Sequence, residues 1–269
     1  YDVWLSVGDT AFAAGPHQGK PGSKSLLAEF TYPILPAHEG GAQWFYSLPK
    51  HDAVCLPPEH LYADYLGAVK YGNIFSIDVG PDYNGRLREI DVKTLQQVGR
   101  TIREKAPMPD LAAVYRNEIQ NEFLKWRLGM FLHFNLATFV DREWATGHED
   151  PALFKPAKLD CGQWADAAKA AGMRYAVLTV KHTEGYPLWD SQCTTHDITA
   201  FKNYKDGKGD IVREFVNAFR ERKLKVGFYY CFPGDFSTGN LATGQADLHG
   251  LPLEARRVLQ LLRHAQSPE

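Results

Sequence analysis

A charge of one sign is what this chain most lacks. Its 30 Lys and Arg stand against 32 Asp and Glu, a formal net charge of −2 at pH 7. That balance leaves no electrostatic case for nucleic acid or an anionic membrane surface, since both select for basic patches. Long apolar runs are missing too, and none approaches the roughly 20 residues that a membrane-crossing helix needs. Cysteine is scarce. The four present, Cys55, Cys161, Cys193 and Cys231, show no CxxC or CxxH spacing, so neither a zinc site nor a disulfide framework is expected. Cys231, at the end of an apolar run, reads as a buried thiol, and this usage favours a reducing, cytoplasmic compartment. The opening Tyr1-Asp-Val-Trp-Leu-Ser6 has neither the basic region nor the apolar core of a signal peptide, and no initiator Met. Such a start suits a processed chain or a slice of a longer one.

What is present is ordinary for a globular protein: 269 residues, 44% hydrophobic and 23% charged, enough for one large domain or two small ones. The first 60 residues are rich in Gly, Pro and aromatics, with short strands expected near Leu26–Thr31 and Trp44–Tyr46. A helix over Leu61–Val69 precedes a strand over Asn73–Val79, closed by the turn Gly80-Pro-Asp82. A helix starting at Asp91 puts Val92, Leu95, Val98 and Ile102 on one face. Ala106-Pro-Met-Pro109 ends it as a linker.

Beyond the linker, strands and helices alternate cleanly. A helix over Leu111–Trp126 leads to the strand Gly129–Asn135. A helix over 162–171, closed by Gly172, leads to the strand Arg174–Lys181. A helix capped by Asp210 leads to the strand Leu224–Tyr230, and a last amphipathic helix spans Leu253–His264. Each strand is a short apolar run that ends in polar or aromatic residues. This is the rhythm of a (β/α) barrel, whose chemistry collects at the C-terminal ends of buried strands. His133, His182 and one of Tyr229 and Tyr230 stand at those ends, an arrangement suited to a sugar-sized pocket.

The motifs here resemble those of the retaining α-L-fucosidases of glycoside hydrolase family 29. They are Phe131-Leu-His-Phe134, Glu143-Trp144, Lys181-His-Thr-Glu-Gly-Tyr186 with Leu188-Trp189, Gly207-Lys-Gly-Asp210 and Gly227-Phe-Tyr-Tyr230. Residues 1–105 are similar to the same family's end. Glu29 upstream of Gln43-Trp-Phe-Tyr46 matches the acid/base segment, and Gly72-Asn-Ile-Phe-Ser-Ile-Asp-Val-Gly-Pro81 the last strand. The resemblance therefore implies a permuted (β/α)8 barrel, or a slice across two tandem domains. Residues 1–105 would supply the late strands, 106–127 a linker and helix, and 128–269 the early strands. The family's fourth and fifth strands are expected to lack counterparts. Val3-Trp-Leu-Ser6, the nearest match to the fourth, carries Ser where the nucleophilic Asp belongs, so no nucleophile is assigned.

The resemblance also implies roles. Glu29 would be the acid/base of a double displacement on an α-L-fucosyl linkage, its pKa raised by a half-buried site. His133, Glu143, His182, Thr183 and Tyr229 or Tyr230 would grip the sugar, with Trp44, Trp144 and Trp189 offering apolar surface to it. Thr183 replaces a second family histidine and reaches less far. A fucosylated glycan would be the partner, no cofactor is implied, and an open barrel implies a homo-oligomer covering the unpaired edges. A carbohydrate-binding protein without a nucleophile and an interaction module without a sugar site are the alternatives. His148, Glu149, His196 and His249 have no HExxH-type spacing, which argues against metal catalysis, and no Gly-x-Ser-x-Gly elbow supports an esterase. Gly207-Lys-Gly-Asp210 follows a loop and reads as a helix start, not a nucleotide site.

Overall fold

The computed structural model describes residues 3–6, 29–36, 43–45, 51, 53–70, 72–106, 118–191 and 194–231. Six strands alternate for the most part with helices: β1 (Val3–Ser6), β2 (Glu29–Pro33), α1 (Pro58–Val69), β3 (Ile74–Asp78), α2 (Glu89–Lys105), α3 (Glu118–Lys125), β4 (Leu128–Leu132), α4 (Cys161–Ala170), β5 (Tyr175–Lys181), α5 (Ile211–Glu221) and β6 (Lys225–Tyr230). All pairings are parallel, and the spatial order is β1-β6-β5-β4-β3-β2. Strands β2 to β6 thus lie side by side in chain order. The first strand is carried to the far edge, where Val3–Ser6 pairs with Val226–Tyr229. The place after β6, expected to be empty, is filled by this segment, because its backbone continues the parallel ladder.

Strands β3, β4 and β5 are buried along their whole length, as expected of parallel strands covered on both faces. Their side chains feed two separate apolar clusters. Phe75, Ile77, Met130, Leu132, Ala176, Leu178, Val226 and Phe228 face Leu61, Leu95, Val98, Trp164 and Phe215 of the flanking helices. Ile74, Phe131, Tyr175, Val177, Tyr229 and Cys231 form the cluster of the opposite face, with Phe123, Leu124 and Trp126 of α3 and the turn after it. This division follows the two-residue period of a strand. Local caps act as the sequence implies: Asp160 accepts from Gln163 N at 3.0 Å, and Asp210 from Arg213 N at 2.8 Å. Gly172 takes φ +80° past the end of α4.

One expectation changes: residues 43–45 form a bend and no strand. Strand β2 is described from Glu29, and residues 26–28 of the strand expected from Leu26 lie outside the described residues. The Leu253–His264 helix and residues 111–117 of the preceding one lie outside the described residues.

Candidate functional site

The C-terminal ends of β3, β4, β5 and β6 bring polar groups together on the face away from the main helices. On β4, Phe131 and His133 share one parity, and their rings stack at 4.9 Å. On β6, Tyr229 belongs to the same face, its ring 6.2 Å from His133 and 6.4 Å from His182. On β5 simple alternation fails. Tyr175 and Val177 occupy this face, so Lys181 would follow them and His182 would turn toward the helices. A register shift between Thr179 and Lys181 breaks the alternation, and Lys181 comes to pair with Tyr230. The irregularity re-aims His182 toward His133, with ring centres 5.8 Å apart, and sends the Lys181 ammonium to Cys231 O at 3.0 Å.

Around the two imidazoles, Trp44 and Phe45 approach His133 at 5.4 and 5.1 Å, and Phe45 approaches His182 at 5.2 Å. Trp144, 51% exposed, stacks on His182 at 5.3 Å. Glu143 ties these pieces together. Its carboxylate accepts the backbone N–H of Gln43 at 2.6 Å and of Trp44 at 3.1 Å, fastening residues 43–45 across the strand ends. Thr183 is buried, its hydroxyl 3.3 Å from His182 Nδ1 and 3.4 Å from Ala145 O. Glu184 is fully buried; one of its oxygens lies 3.7 Å from His182 Nδ1, and neither oxygen has a hydrogen-bond partner among the described residues.

Asp78, at the end of β3, was not singled out in the sequence. It is 1% exposed, and its Oδ1 lies 2.7 Å from His133 Nδ1. Burial pushes its carboxyl well above the usual carboxylate range, and the Glu143 charge adds to this; a backbone hydrogen bond from His133 and the His182 charge oppose it. The available signal was parity, since Ile74, Ser76 and Asp78 alternate along one face of a strand whose end meets the Phe131-Leu-His motif.

Three sequence assignments move away from this cluster. Glu29 opens β2 beside Ile74, at the N-terminal end of the sheet. Its Oε1 accepts from Tyr175 Oη at 2.6 Å, and Ser76 also bonds the carboxyl. Burial raises its pKa from the usual 4.5, against the lowering effect of those two bonds. The elevation expected of an acid/base is there, but a full strand length separates Glu29 from the histidines. Trp189 is wholly buried against the helices, 6.5 Å from the Tyr230 ring, with no surface to offer a ligand. Tyr230 joins it in that core, 5.0 Å below the Lys181 ammonium, which leaves Tyr229 as the rim tyrosine.

Of the residues that invited a metal reading, His196 and Glu149 have other partners. His196 Nε2 pairs with Glu184 O at 2.9 Å, and Glu149 accepts from Thr146 N and Gly147 N at 2.8 Å. His148 is exposed, and His249 lies outside the described residues.

The family profile described as Alpha-L-fucosidase matches residues 103–249, more than half of the chain. Alpha-L-fucosidase 1 of Arabidopsis thaliana is 39% identical over 109 residues, covering 39% of this chain and 21% of that protein. A putative alpha-L-fucosidase 1 of Oryza sativa is 44% identical over 109 residues, with the same coverage of 39% and 21%. Among solved structures, a glycoside hydrolase 29 family member from an unknown rumen bacterium is 43% identical, covering 42% of this chain and 20% of that one at a TM-score of 0.40. The chain matches about a fifth of the length of these curated relatives. With its rim histidines inside the matched segment, the chain belongs to the α-L-fucosidase family.

Proposed function

We propose that the cluster at the C-terminal strand ends is the fucose-binding half of a retaining α-L-fucosidase site. The observation that carries this reading is the convergence of His133, His182, Tyr229 and Trp144 on one face. Imidazole and phenol edges suit sugar hydroxyls, and an exposed indole suits an apolar ring face or methyl group. Glu143, clamped by two backbone N–H groups, both supports the rim and offers a carboxylate to it. A retaining glycosidase needs two carboxyl groups roughly 5–5.5 Å apart across the scissile bond. In this proposal the nucleophile comes from a strand beyond those described, or from a second subunit. Glu29, bonded to Tyr175 at the other end of the sheet, serves the scaffold instead.

The strand order supports reading the chain as a (β/α)8-type barrel in permuted order, with residues 1–105 late and 128–269 early. A strand from the chain's start lies beside β6, and β2 and β3 lie beside β4. The outer edges of β1 and β2, which pair with no further strand among the described residues, are then the surfaces that further strands or another subunit would cover.

Hydrolysis of an aryl α-L-fucoside, run beside tryptophan-fluorescence titration with L-fucose, tests the reading. Quenching by fucose and not by glucose is the expected result, with turnover wherever the missing carboxylate is supplied. A folded chain whose fluorescence ignores fucose would sink the proposal.

A further inference from the structure

We propose that Asp78 is a positioning residue for His133: the two share a proton between Oδ1 and Nδ1 in a pair kept net neutral, so that His133 Nε2 is held as an N–H donor toward the ligand. This rests on the sugar-site reading above and deepens it by assigning the residue that sets the rim's hydrogen-bonding sense. Three observations support it. The Oδ1–Nδ1 separation is 2.7 Å, and both side chains are nearly excluded from solvent, at 1% and 9% exposed. At that distance one proton must lie between the two atoms, and a ring whose Nδ1 is engaged turns Nε2 the other way. Asp78 Oδ2 has no hydrogen-bond partner among the described residues, so the carboxyl's specific side-chain bond is the one to His133.

The surroundings decide how many protons the pair keeps. Glu143 bears on Asp78 from the loop after β4, and His182 from the end of β5. Tyr229 approaches His133 from the end of β6, and Trp44 and Phe45 close the site with apolar rings. Losing the Nε2 proton, with the shared one retained between Oδ1 and Nδ1, leaves a net negative pair in a buried site that already faces Glu143. Burial and that charge both resist the loss, as the raised Asp78 carboxyl reflects. The pair therefore titrates as a unit. While it is net neutral, Nε2 carries a hydrogen whether the shared proton sits nearer Asp78 or nearer His133. Such a donor meets a sugar hydroxyl at its oxygen. His182 is the built-in comparison, because its Nδ1 faces Glu184 at 3.7 Å and the Thr183 hydroxyl at 3.3 Å.

Histidine ¹⁵N chemical shifts of the full chain, without sugar, test the pair directly. In the wild type, His133 Nε2 is expected to remain protonated through pH 7.5. In Asp78→Asn the His133 titration midpoint should fall by about one pH unit or more, toward or below the ordinary value of roughly 6.5. A wild-type His133 with an unprotonated Nε2 at pH 7.5 would overturn the proposal without recourse to any variant. So would a folded Asp78→Asn chain with an unchanged midpoint. L-fucose titrated into the same samples reads the sugar site separately: absence of binding by the wild type counts against the fucose reading, while the ¹⁵N shifts still decide the pair.

Discussion

The two ends of this sheet hold their buried carboxyl groups in opposite ways. At the N-terminal end, Glu29 accepts from the Tyr175 phenol at 2.6 Å and bonds Ser76, while Phe123, Leu124 and Trp126 pack an apolar cluster around Tyr175. At the C-terminal end, Asp78 meets a titratable imidazole, with Glu143 and His182 near it and Trp144 exposed beside them. Burial raises both carboxyls. What differs is the partner: neutral hydroxyls that cannot change charge in the working pH range, against an imidazole that can. A raised pKa by itself therefore marks no active site. Its location on the strand and the chemistry of its partner separate scaffold from function.

The sharpest way to break the N-terminal end is through Gly129. A Cβ there would lie 2.1 Å from the Tyr175 ring, so Gly129→Ala must displace the ring that holds Glu29. A loss of about 3 kcal/mol is expected, at the upper end of overpacking costs, read from the urea midpoint. An unchanged midpoint would contradict the packing described. Tyr175→Phe removes only the hydroxyl and should cost about 2 kcal/mol, since it strips a buried carboxyl of a donor. Fucose quenching per folded molecule should be unaltered. A selective loss of quenching would tie Glu29 to the sugar after all.

At the other end, His133→Ala should weaken L-fucose binding per folded molecule about tenfold or more, roughly 1.4 kcal/mol, and should also lower the urea midpoint, because it strips buried Asp78 of its partner. An undiminished affinity would remove His133 from the site.

Glu29→Gln sharpens the comparison through pH. Glu29 is raised above 4.5 when folded, so the native state binds more protons than the unfolded one. Its contribution is therefore fully present below pH 4.5 and fades as pH rises through the folded value. Glu29→Gln should flatten that decline in stability and leave fucose binding intact. A steeper decline would reverse the assignment. The smallest effect is expected for Thr183→Val, about 0.5 kcal/mol, because its bonds to Ala145 O and His182 Nδ1 are long at 3.4 and 3.3 Å. A loss above about 2 kcal/mol would mean that those bonds matter more than their lengths imply.

The sequence by itself determined the elements. Apolar runs and caps such as Asp160 and Asp210 are local signals, and the strands and helices they mark appear within a few residues of their expected bounds. The strand-end positions of His133 and His182 were legible because each closes an apolar run, whereas Glu143 and Trp144 lie in the loop after β4 and were singled out through the family resemblance. Three things required the tertiary structure. A register shift of one residue between Thr179 and Lys181 exchanges the faces of Lys181 and His182, and no local pattern encodes such a shift. The meeting of Asp78 with His133 spans 55 positions in the chain, and that of Glu29 with Tyr175 spans 146. Both contacts follow from which strands become neighbours, so the same residue type reads as catalytic or structural only after the sheet is assembled. Strand order is likewise a property of the assembled ladder of backbone bonds. Val3–Ser6 found its place beside β6 through parallel pairing of main-chain groups, which any apolar segment of that length presents and only the finished sheet selects.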